Sequence, residues 1–69
     1  MFEVFKTNVH SHHAASELLA ALRSLVPGSR INFDLQDCDR ILRVESGAVE
    51  PSAIVALLQA FGYFCEALE

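Results

Sequence analysis

At 69 residues the chain has room for one domain spanning residues 1–69, and a domain of that size hides only about 60% of the surface its unfolded chain exposes. With 52% apolar and 20% charged residues and only five Gly and Pro together, the composition is globular and argues against disorder. Nine acidic residues against five basic ones give a net charge of −4, which repels a phosphate backbone and excludes nucleic acid as the expected partner.

The apolar runs are much shorter than the ~20 residues of a membrane span, and "MFEVFKTN" lacks the basic-then-apolar pattern of a leader. The expectation is a soluble, cytoplasmic protein with no membrane partner. Cys38 and Cys65 permit at most one disulfide, whereas a small secreted scaffold usually shows four or more cysteines, so free thiols in a reducing compartment are expected.

In chain order, "MFEVFKTNV" is rich in β-branched and aromatic residues, with apolar side chains on both phases, Phe2 and Val4 against Met1 and Phe5. That pattern predicts an interior strand. From Ser11 the period changes. Ala15, Leu18, Leu19, Leu22, Leu25 and Val26 make an apolar stripe at helical spacing, with Ser11 as N-cap and "PGS" at 27–29 as the stop. "RINFDL" alternates Ile31, Phe33 and Leu35 with polar residues, "QDCD" supplies turn formers, and "RILRVES" resumes with Leu42 and Val44, which predicts a hairpin. After the loop "SGAVEPS", Pro51 opens a second helix with Glu50 near its positive end, and Ile54, Leu57, Leu58 and Phe61 form its stripe up to Gly62. "YFCEALE" is either a final strand or a frayed tail.

Strand, helix, strand, strand, helix, strand, with right-handed crossovers and a central hairpin, is the α+β ferredoxin-like βαββαβ sandwich: a four-stranded antiparallel sheet in the order 4-1-3-2 with two helices on one face. The helices are expected to pack on Ile31, Phe33, Leu35, Leu42 and Val44, together with Val4 and Cys65. Three connections then share one rim: "NVHSHH", "QDCD" and "FGYFC". All three histidines, His10, His12 and His13, lie within four positions of that rim.

This order and loop placement resemble the heavy-metal-associated domain of copper chaperones and metal-transporting ATPases. That family carries Met-Thr-Cys-x-x-Cys-Ala where its first strand meets its first helix; here the place reads Asn8, Val9, His10, Ser11, His12, His13, Ala14. The ending Gly62, Tyr63, Phe64, Cys65, Glu66 is similar to the family's Gly-Tyr-x-Ala-Glu. The resemblance spans the chain and implies a metal-binding role, with His10 and His13 standing in for the two cysteines. Imidazole in place of thiolate moves the preference from Cu(I) toward a divalent transition metal, Zn, Ni, Cu or Co. Zinc normally takes four ligands, so His12, Asp37, Cys38, Asp39 or a second molecule would complete the set.

The histidine cluster has a second reading, a polar approach to the first helix in which His13 meets Glu17 one turn on. Cys38 is a candidate ligand, although its flanking aspartates disfavour a thiolate unless a cation is bound, and Cys65 reads as a small core residue. Without a Gly-rich phosphate loop, a Cys-x-x-Cys pair or a positioned acid–base pair, no enzyme is expected. The competing function is a metal-free interaction or dimerisation module, using an apolar sheet face with some of Phe2, Phe5, Phe64 and Leu68 to meet a protein partner or a second copy. An RNA-binding sandwich would show aromatics on its central strands, and "ILRVES" offers none.

Overall fold

A computed structural model describes residues 2–47 and 50–68. Met1 of the expected first strand, Ala48 and Val49 of the loop before the second helix, and Glu69 of the last segment lie outside the described residues. The elements are β1 (Phe2–Thr7), α1 (His12–Leu25), β2 (Arg30–Asp34), β3 (Ile41–Glu45), α2 (Pro51–Ala60) and β4 (Cys65–Leu68). Every strand pair is antiparallel, in the order β2-β3-β1-β4, which is the expected order taken from the other edge. The segment expected as strand or tail is a strand. The α+β architecture is compatible with the predicted sandwich, and no helix among the described residues is long and apolar enough to cross a membrane.

β1 settles the sheet's two faces differently from the expectation. Phe5 is fully buried opposite Leu42 and Ala67, and Thr7 is buried opposite Cys65. Val4 pairs with Arg43 and Leu68 on the other face and is only half-buried. Val4 therefore does not join the core; Phe5 does. The main cluster joins Phe5, Leu42, Val44 and Cys65 of the sheet with Leu18 and Leu22 of α1 and Ile54 and Leu58 of α2, so both helices cover one face. Ile31, Phe33 and Leu35 pack against this cluster while half-buried.

The open face mixes charge with a small apolar corner. Lys6 is opposite Glu66, Arg30 opposite Glu45, and Arg43 Nη2 lies 3.7 Å from Asp34 Oδ2. Phe2 and Leu68 are exposed around Val4, and Phe64, just before β4, is 48% exposed. Phe5 is withdrawn from the anticipated apolar patch, which shrinks accordingly.

The helix ends follow their residues closely. Ser11 (φ −116°, ψ 150°) caps α1 by accepting from Ala14 N at 3.0 Å. At the other end Ser29 N donates to Val26 O at 3.3 Å across Pro27 and Gly28, the latter at φ 79°, as a type II turn requires. Pro51 takes the first turn of α2, where its missing N–H has no partner to lose. One expected member of each apolar stripe faces outward: Leu25 is 41% exposed at the end of α1, although Val26 after it is buried, and Phe61, beyond the last turn of α2, is 50% exposed.

Gly62, at φ 89°, ends α2 in a Schellman motif, with Tyr63 N donating to Leu58 O and Gly62 N to Gln59 O, both at 2.9 Å. A Cβ there would meet nothing within 4 Å, so its cost is that of the left-handed backbone alone. Gly62→Ala is expected to lower unfolding stability by about 1–2 kcal/mol, measurable as a drop in the urea midpoint with an unchanged slope.

Candidate metal-binding rim

β1 ends where three connections meet, and two consecutive polar residues tie them together. Thr7 is buried; its Oγ1 donates to Arg40 O at 2.6 Å and accepts from Val9 N at 3.3 Å, and its own N–H donates to Asp39 O at 3.1 Å. Asn8 Oδ1 accepts from Phe64 N at 2.8 Å, joining positions 56 residues apart. Thr7 thus anchors the β2–β3 hairpin and Asn8 the α2–β4 connection. The expectation of a shared rim is met through Thr7 and Asn8, neither of them a candidate ligand. A threonine on the inward phase of a central strand is the signal that pointed to one of them, since a buried hydroxyl needs partners.

The hairpin is shaped by its own polar groups. Asp37 Oδ1 accepts from Asp39 N at 2.8 Å, Arg40 N donates to Asp37 O at 3.0 Å, and the Arg40 guanidinium donates to Leu35 O. Arg40 adopts φ 48°, a left-handed conformation that side-chain-bearing residues seldom take. The carboxylates of Asp37 and Asp39 and the thiol of Cys38 bring potential ligand atoms within 4.8 Å of one another. Lys6 Nζ stands 3.6 Å from Asp39 Oδ1 and offsets part of that negative charge.

The histidines lie apart from that trio. His10 is in the loop, His12 and His13 are the first two residues of α1, and all three are exposed. Among the described residues, the grouping of three or more metal-capable side chains is Asp37, Cys38 and Asp39, with no histidine in it. What the structure does bring together is His13 and Glu17: Nε2 and Oε1 are 3.5 Å apart across one helical turn. Two ligands about 2 Å from a tetrahedral ion are themselves about 3.3 Å apart, so this pair stands near the bite of a chelate. Glu17 is the residue that sequence reasoning placed only in the polar alternative.

Electrostatics make that carboxylate matter. The head of α1 is the positive end of the helix macrodipole, an unfavourable place for a dication held by neutral imidazoles alone. A thiolate pair would bring its own negative charge, whereas His10 and His13 bring none. Glu17 places one carboxylate oxygen 3.5 Å from His13 Nε2. Cys65 contributes nothing to such a site, because burial pushes its thiol up to about 11 and keeps it protonated at neutral pH. Tyr63 is half-buried and packs against the core.

A concavity of about 460 Å³, lined by Gly28, Arg30, Glu45, Ser46 and Gly47, opens at the opposite end of the sheet and is separate from the rim. No protein-family profile matches this chain, and no curated protein matches it.

Proposed function

We propose that this chain is a heavy-metal-associated-like domain of the ferredoxin-like fold, cytoplasmic and non-enzymatic, that binds a divalent transition metal (Zn, Ni, Cu or Co) at the head of α1. His13 and Glu17 form the chelating pair; His10, on the adjoining loop, is the third ligand only if that loop closes on the metal, since the three are not grouped within 4.8 Å. The observation that carries this reading is the 3.5 Å separation of His13 Nε2 and Glu17 Oε1. Three protein ligands leave a position for water or for a ligand from elsewhere. Imidazole and carboxylate suit these borderline divalent ions, not Cu(I), so the copper(I) transfer chemistry of the family is not carried over. His12 and Cys38 have no part in this ligand set.

Calorimetric titration of the chelator-treated protein with Zn(II), Ni(II), Co(II) and Cu(II) tests it. Wild type is expected to bind one ion, His10→Ala/His13→Ala to bind none, and Glu17→Gln to bind at least about tenfold more weakly. Affinity falls in acid, because protons compete with the metal for its ligands. Equal binding by wild type and the double variant, or none by either, refutes the assignment.

A metal-free interaction module is the second reading. His13 and Glu17 are also complete as an ordinary i,i+4 surface pair, with side-chain exposures of 88% and 63%, and such pairs are common on helices without an ion. Absence of binding heat, together with a thermal midpoint indifferent to chelator and to added metal, supports this reading over the first.

A further inference from the structure

The sheet has two free edges, β2 and β4. Edge strands usually carry a device against pairing with another chain: a proline, a bulge, or a charge pointing inward. β2 carries no proline, bulge or inward charge; its two charges, Arg30 and Asp34, lie at its ends on the open face and are of opposite sign. Its sequence is Arg30, Ile31, Asn32, Phe33, Asp34, its register against β3 is unbroken, and its inward residues are Ile31 and Phe33. The strand is also self-complementary about its middle residue. Arg30 and Asp34 stand two positions either side of Asn32 on the open face, and Ile31 and Phe33 stand one position either side on the helix-covered face.

We propose that β2 is a homodimerisation edge, with two copies pairing antiparallel and in register about Asn32 to form one continuous sheet of twice four strands. In that register each Arg30 faces Asp34 of the second copy, each Ile31 faces Phe33 of the second copy, and Asn32 faces itself. Unlike charges directly opposite one another stabilise a cross-strand pair, and like charges destabilise it. The interface is isologous and closes at two copies. It forms about four to six backbone hydrogen bonds and covers Ile31 and Phe33, which the single chain leaves half-buried. Asp34, already 3.7 Å from Arg43 of its own chain, then lies between two guanidinium groups in an alternating row of charge.

β4 offers no equivalent. Pairing about its open-face residue Glu66 would set that carboxylate against its own copy. The two-fold axis through Asn32 runs perpendicular to the sheet, so the helices of both copies stay on one side and the continuous core lies beneath them. This dimer is independent of any bound metal.

Sedimentation equilibrium of the full chain in chelator, from micromolar to millimolar concentration, is the test. A monomer–dimer equilibrium is expected. Asn32→Lys, which sets two ammonium groups against each other at the axis, is expected to raise the dimer Kd at least tenfold, while Leu68→Lys at the other edge of the open face leaves it unchanged. Asn32→Cys in a Cys38→Ser background is expected to cross-link under mild oxidation, because directly opposed residues on antiparallel strands have Cα atoms about 4.5–5.5 Å apart, within disulfide reach. The cross-link decides the matter alone if Asn32→Lys fails to fold by circular dichroism. A monomer at every concentration, a dimer that Asn32→Lys leaves intact, or absence of the cross-link overturns the proposal.

Discussion

Phe5→Ala is expected to lose about 3–5 kcal/mol, a large share of the stability of a chain of 69 residues. At about 0.05–0.15 kcal/mol per residue a chain this short holds only about 3–10 kcal/mol, so the loss is at least about a third of it. Phe5 is fully buried on the middle of β1, with Leu42 on one side, Ala67 on the other and the helices above. Its removal opens a cavity that neither neighbouring strand can fill without breaking register. Val4→Ala, one residue away on the open face, is expected to cost less than about 1.5 kcal/mol. Urea unfolding followed by circular dichroism separates the two. Equal losses at both positions would mean that the phase of β1 is wrong.

Thr7→Val is expected to cost about 2–4 kcal/mol, although it keeps the shape of the side chain. The methyl group replacing the hydroxyl cannot donate to Arg40 O or accept from Val9 N, contacts now at 2.6 and 3.3 Å. Each buried group left without a partner costs about 1–3 kcal/mol. Thr7→Ser keeps both hydrogen bonds and should lose only the small contribution of one methyl. The contrast between Val and Ser, measured at the urea midpoint, isolates the hydroxyl. Matching losses would place the contribution in packing and not in the polar clasp.

The element order was legible because each change of period in the sequence coincides with a residue that can only sit at an end: Ser11, Pro27 with Gly28, Pro51, Gly62. The phase of β1 was harder, since Phe2, Val4, Phe5 and Val9 put apolar side chains on both phases and hydrophobicity alone cannot choose between them. Charge does not choose either, because Lys6 shares the phase of Val4 while Glu3 shares that of Phe5 and Thr7. The pairing chooses, setting Phe5 opposite Leu42 and Thr7 opposite Cys65. Leu25 and Phe61 misled for another reason: at the end of a helix one residue of a broad stripe turns inward and its neighbour outward, as buried Val26 and exposed Leu25 show.

The rim was legible as a place and not as a ligand set. Topology brings "NVHSHH", "QDCD" and "FGYFC" together at one end, and the hydrogen bonds of Thr7 and Asn8 bear that out. Which side chains approach one another depends on rotamers and turn geometry that spacing does not encode. Cys38 groups with its own neighbours in the hairpin, and His13 with the residue one helical turn below it.

β1 has a further consequence through its position between β3 and β4. Both of its partners follow it in the chain, the later one beginning only at Cys65. During synthesis α1 and the β2–β3 hairpin can form locally as they emerge, whereas one flank of β1 stays empty until β4 has left the ribosome. Contacts of such sequence separation slow folding, and an unpaired strand edge is an aggregation hazard while it lasts. The bond from Phe64 N to Asn8 Oδ1, immediately ahead of β4, fixes where that last strand starts against the first and so sets its register as it arrives.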